Sequence, residues 1–211
     1  MLNQLLNTIS FISIYTIVTF LVAMVFYKPN YMFKLLVAIL LINVATELTA
    51  LFFQINNMNI INIYNIYFIL HNSLWLYLII HTLKQASKEF LVLFLFLGLA
   101  IFNLIYIEKN NLNYYTFITG GIGYLIYYMA KSFVYLKNEQ LTIFKSNTFI
   151  LLSAPIIFFI GFIIVFGFRD SQLRFIKIGY TALYSVISLI VNIIYYSLLN
   201  LYIYKTRKEN E

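Results

Sequence analysis

Seven long apolar runs alternate along this chain with short polar separators. A helix that crosses a hydrocarbon core needs about 20 mainly apolar residues. Runs of that kind fall at about 5–27, 32–53, 60–82, 90–107, 113–136, 147–168 and 178–204. The separators read YKPN, QINNMN, KQASKE, EKNN, KNEQ and FRDSQLR, and none has room for a soluble domain. The pattern predicts an all-α integral membrane protein: one transmembrane domain over residues 1–211, folded as a seven-transmembrane-helix bundle. The first run lacks a basic leading segment and a small-residue cleavage site, so it reads as a span and not as a signal peptide.

Composition supports the pattern. Of the 211 residues 63% are hydrophobic and 10% charged, against roughly 25% charged in soluble domains. There is no cysteine, which excludes a disulfide framework and a thiolate metal site. The formal charge of +7 could point to nucleic acid, but the basic residues lie at the ends of the apolar runs, where topology requires them, and no nucleic-acid partner is expected. Lys28, Lys34, Lys84, Lys88, Lys131, Lys137, Lys145, Lys205, Arg207 and Lys208 fall on one side, and Lys109, Arg169, Arg174 and Lys177 on the other. Cytoplasmic loops carry the excess of Lys and Arg, so the N-terminus is expected outside and the C-terminus in the cytoplasm, in a bacterial inner membrane. Spans 3 and 7, both rich in Tyr and Asn, hint at a repeat of spans 1–3 in spans 5–7, as in some transporters.

The polar residues inside the spans form stripes at helical spacing. Span 2 places Asn43, Glu47 and Gln54 on one face, with Ala50 among them. Span 3 places Tyr64, Asn65, His71, Asn72 and Trp75 within about 120°. Span 7 places Thr181, Tyr184, Ser185, Ser188, Asn192 and Tyr195 within about 100°. Polar groups facing lipid would go unpaired at high cost, so the stripes are expected to face inward. Glu47 falls roughly 9 Å from the outer end of its span, His71 about 16 Å deep, and Ser185 and Ser188 roughly 10–15 Å deep. If spans 2, 3 and 7 are neighbours, these residues line one pocket open to the outside.

Glu47 is the acidic residue placed well within a span. An ionised carboxylate there must be paired, hydrated or protonated, and no Lys or Arg lies at its depth. Asn43, Gln54, Tyr64, Asn65 and His71 are its candidate partners. The plainer alternative is a protonated acid that glues helices together. His71 is as well explained by a satisfied core position as by ligand contact. His81 points away from it and suits the interface. Glu47, His71 and His81 lack metal-ligand spacing, and Ser153, Ser185 and Ser188 offer no Ser–His–Asp arrangement. No metal, cofactor or enzymatic activity is therefore expected. Asp170 reads as part of a solvated outer cap. Thr116, Gly120, Gly121 and Gly123 read as small residues for close helix packing, and Pro155 as a kink that frees a carbonyl.

NVATELTALF, YNIYFILHNSLWLYLI and LIVNIIYY together resemble the small, largely uncharacterised seven-helix integral membrane proteins common in Bacteroidetes. The span 2 acid of that family is matched by Glu47, the Tyr-Asn opening of span 3 by Tyr64 and Asn65, and the span 7 Asn by Asn192. His71 stands where the family's second acid falls. The resemblance implies a seven-helix bundle linked to membrane signalling. The expected function is a sensor or receptor-like protein with a small-molecule ligand in the outer pocket. It would act through a cytoplasmic or membrane protein partner, docked on the basic loops and the tail YKTRKENE. The alternatives are a small proton-coupled transporter, with Glu47 as carrier, and a structural subunit of a membrane complex.

Overall fold

A computed structural model describes residues 10–82, 90–109, 111–169, 175–179 and 181–208. Lys84, Lys88, Asp170 and Arg174 lie outside the described residues. The described helices are α1 (Phe11–Val25), α2 (Tyr31–Ile55), α3 (Ile61–Thr82), α4 (Phe90–Phe102) with a π-helical turn (Asn103–Ile107), α5 (Tyr114–Lys137), α6 (Asn147–Gly167) and α7 (Leu183–Lys208). A short 3-10 turn, Leu141–Lys145, precedes α6. The chain divides into two compact units, 1–117 and 118–211.

Local chemistry explains many of the helix ends. Ser10, Asn30 and Ser146 cap α1, α2 and α6: each side-chain oxygen accepts from the backbone N–H three residues on. That group has no partner within the helix itself. After α2, Asn57 takes a left-handed conformation (φ 53°), and the N–H groups of Met58 and Asn57 return to the carbonyls of Phe53 and Gln54. After α5, Glu139 (φ 55°) does the same, with Gln140 and Glu139 bonding back to Tyr135 and Leu136. Both closures satisfy carbonyls that would otherwise be orphaned.

In the first unit successive helices run antiparallel. Ser13, early in α1, meets Glu47, late in α2. Tyr31, at the start of α2, stacks on His81 at the end of α3, with ring centroids 4.0 Å apart. Tyr77 of α3 lies 5.9 Å from Phe90, which opens α4. Phe68 of α3 packs edge-on against Phe117 of α5 at 5.1 Å.

In the second unit Gly121 lets α5 press on Phe159 and Ile163 of α6, as its size leads one to expect. Gly123 has open space around it, and the buried Thr116 also accepts a hydrogen bond from Asn103. Pro155 lies within α6, which stays continuous. A proline leaves the carbonyl four residues back without its helical donor, and the buried Tyr124 hydroxyl donates to the adjacent Leu152 carbonyl at 2.7 Å. Between α6 and α7 the tightest approach is Gly161 against Val191, next to the Phe158–Tyr195 ring pair at 4.7 Å.

Among the described residues five helices are long and apolar enough to cross a membrane: α2, α3, α4 with its π turn, α6 and α7. Their outward side chains, such as Phe94, Leu95 and Leu99, are large, apolar and exposed, the surface that lipid tails solvate. The chain is a multi-pass, all-α membrane protein. The described part of α1 is apolar but 15 residues long. α5 is 24 residues long, but its six tyrosines and three glycines dilute its hydropathy. One boundary differs from the apolar pattern. The last helix starts at Leu183, not 178, because Lys177–Ile178 and Thr181–Ala182 pair as two short antiparallel strands around Gly179 at φ 62°. Thr181 therefore belongs to a strand and not to the α7 stripe. The helix then runs on to Lys208, and its last turn carries Lys205, Arg207 and Lys208, cations that suit the negative end of the helix dipole.

A methyl group at Gly161 would sit 2.2 Å from Val191 Cγ2. Overpacking of this kind costs about 1–3 kcal/mol. Gly161→Ala should lower the thermal unfolding midpoint in detergent, Val191→Ala should restore it in the double variant, and Gly123→Ala, which meets open space and gains helix propensity, should not lower it.

Candidate functional site

Glu47 is half-buried on the α2 face toward α1 and α3. Its Oε2 accepts a hydrogen bond from Ser13 Oγ at 2.5 Å. Ser13 Oγ is 2.8 Å from Ser10 Oγ, and the Ser13 backbone N–H also donates to Ser10 Oγ at 3.0 Å. Tyr64 of α3 lies within electrostatic reach of Glu47, at the level expected from the helix rise. The Ser13 bond comes from α1, which the stripes of spans 2, 3 and 7 left out. α1 buries Ser13, Thr16, Thr19 and Ala23, a small and polar face at spacings of three and four. Thr16 satisfies its hydroxyl on the Ile12 carbonyl at 2.9 Å. Further along α2, Asn43 is buried and Gln54 is exposed.

The α3 stripe has two edges. On one, His71 and Trp75 are fully buried, and the indole Nε1–H donates to His71 Nε2 at 3.3 Å. Tyr67 stacks on the same imidazole at 5.0 Å. On the other edge Asn65 faces the α4–α5 link: its Nδ2 donates to the Asn111 carbonyl at 3.0 Å, and its Oδ1 accepts from the Asn113 N–H at 2.8 Å. Asn65 is thus a clamp between α3 and that link, not a partner of Glu47. Two turns further along the same edge sits Asn72. It is fully buried, and neither its Nδ2 nor its Oδ1 has a hydrogen-bond partner among the described residues.

A second acid is buried more deeply than Glu47. Glu108 falls in the separator EKNN, where its polar neighbours suggest a solvated turn. In the structure it is 4% exposed. Its Oε2 accepts from Asn103 Nδ2 at 2.8 Å and from the Tyr115 N–H at 3.0 Å. Asn103 Nδ2 also donates to Thr116 Oγ1 at 2.9 Å. The backbone closes the π turn through Glu108 N–H to the Asn103 carbonyl at 2.9 Å. A carboxylate against the first N–H groups of α5 is where the helix dipole favours negative charge, so this cluster ties the end of α4 to the start of α5.

Tyr184, Ser185, Ser188 and Asn192 belong to the second unit. Tyr184 is exposed, Ser185 and Ser188 are half-buried and Asn192 is buried. Asn192 Nδ2 donates to the Ser188 carbonyl of its own helix at 2.8 Å, and Tyr195 is buried against Phe158. His81 is exposed beside Tyr31 and Tyr77. No family model matches this chain, and no curated protein or solved structure is significantly similar to it.

The Asn65 clamp carries a stability prediction. Leaving buried partners unsatisfied costs about 1–3 kcal/mol. Asn65→Ala should lower the unfolding midpoint by that measure, while Gln54→Ala on the exposed end of the α2 stripe should not.

Proposed function

We propose that this protein is a seven-span sensor of a bacterial inner membrane, N-terminus outside. It holds a small polar ligand in an outward-facing pocket of its first unit and reports to a cytoplasmic partner. The pocket is built on Asn43, Glu47, Tyr64, His71, Asn72 and Trp75. The observation that carries this reading is Asn72. A fully buried amide with no partner on either atom among the described residues costs about 1–3 kcal/mol, and hydrocarbon offers no water to relieve it. A polar molecule that both donates and accepts would remove that cost. Glu47, close to the end of its helix and half-buried, can receive the charged or donor end of such a ligand. The excess of Lys and Arg on one set of loops supports the orientation. Those loops are also the surface on which an intracellular partner would dock. The family resemblance drawn from NVATELTALF and its companion motifs fits the same reading.

A second reading, a small proton-coupled transporter, is favoured by the hydroxyl bonded to Glu47. It requires Glu47→Gln to abolish uptake driven by a pH gradient in proteoliposomes.

Replacing Asn72 separates an occupied site from an empty one. In native mass spectrometry from mild detergent, wild type should keep a small adduct that Asn72→Leu and Glu47→Ala lose. Asn72→Leu should also melt lower once the adduct is gone. If wild type carries no adduct and Asn72→Leu melts higher, the amide is an unrelieved cost and there is no ligand.

A further inference from the structure

We infer that Ser10 and Ser13 form a proton wire that serves Glu47 from the membrane face at which α1 begins. The inference draws on the Glu47 site proposed above, and adds how that site exchanges protons.

The chain of oxygens is short and continuous. Ser10 is exposed and caps α1. Its Oγ lies 2.8 Å from Ser13 Oγ, which lies 2.5 Å from Glu47 Oε2. The direction is set by proton counting, since a serine hydroxyl owns one hydrogen. Ser13 gives its hydrogen to the carboxylate, so the bond between the two hydroxyls must be donated by Ser10. The Ser13 backbone N–H occupies one acceptor position on Ser10 Oγ, and the second lone pair of this exposed residue can accept from a water.

A proton arriving on that water can then move without any group carrying it bodily. The hydronium gives its proton to Ser10 Oγ. Ser10 passes its own hydrogen to Ser13 Oγ, and Ser13 passes its hydrogen to Glu47 Oε2. Each hydroxyl loses one O–H bond and gains one, the hydronium becomes water, and Glu47 becomes neutral. The hydroxyls rotate to reset, and the reverse sequence releases the proton.

Among the described residues, the titratable groups on the surrounding helices are few. α1 carries no charged side chain, and Tyr15 is its one titratable group. From α3, Tyr64 lies within electrostatic reach of Glu47, with Tyr67 and His71 further along the helix and Tyr77 and His81 at its far end. Lys34, on the same helix as Glu47, is about 20 Å away along the axis.

Ser13 is the residue to change, because Ser10 also caps its helix. The protein in liposomes is given an acid jump, and the rise of the protonated-carboxyl infrared band is followed in time. The band is assigned to Glu47 by its loss in Glu47→Gln. Positioned side chains speed proton transfer by about a hundredfold or more, so Ser13→Ala should slow the rise by about that factor. Ser13→Thr, which keeps a hydroxyl, should restore it. An unchanged rate in Ser13→Ala, or no Glu47 band in wild type at any pH tested, overturns the wire. The native adduct in Ser13→Ala is a separate readout: it tests the ligand pocket whatever the wire does.

Discussion

A polar group inside a bilayer has no water to turn to, and this constraint organises the structure. Each amide or hydroxyl must find a partner within the protein or go without. Most find the nearest one. Thr49, Ser73, Thr82 and Ser153 donate to the carbonyl four residues back, and Asn192 does so with its amide. These bonds cost little and let a polar residue sit in an apolar helix without a neighbour's help. A smaller set reaches between elements: Ser13 to Glu47, Asn65 to the α4–α5 link, Tyr124 to the carbonyl beside the one that Pro155 leaves without its helical donor. The second set ties together elements distant in sequence.

The same constraint explains what the sequence made legible. Hydrocarbon thickness sets how long an apolar run must be, so α2, α3, α4, α5 and α6 start and end within a few residues of the apolar pattern. α7 departs at its start because Gly179 turns the chain back at a point where the run is still apolar. Hydropathy cannot see a turn that exposes Ile178. The stripes on α2 and α3 were readable because Asn, Glu and His stand out from Leu and Ile. The α1 stripe was not, because Ser and Thr barely disturb hydropathy and can bond within their own helix. The spacing S-x-x-T-x-x-T-x-x-x-A was nevertheless present at Ser13, Thr16, Thr19 and Ala23. Glu108 was hidden for the opposite reason. Next to Lys109 and Asn110 it reads as solvent-facing, and its burial depends on Asn103, Thr116 and the start of α5, which only the folded chain brings together.

The two carboxylates show how partners divide structure from function. Glu108 is almost wholly buried and receives an amide and a backbone N–H that belong to the ends of two helices. Its arrangement is closed, and its work is to hold α4 to α5. Glu47 is half-buried, and the bond it receives comes from a hydroxyl that can itself receive a proton. That bond can be reversed without moving a helix. A clamp needs fixed donors and a proton-exchange site needs reversible ones; under the proposal above, Glu47 is the second kind.

Asn72 extends the argument to an uncharged group. Two of its polar neighbours on α3 are bonded, Asn65 to the link and Trp75 to His71. The burial of Asn72 without a partner among the described residues is costly in the empty protein, and a bound polar molecule would offset that cost. That difference is the energy a bound polar molecule would gain at this position, and it lies in the same unit, on the helix next to Glu47.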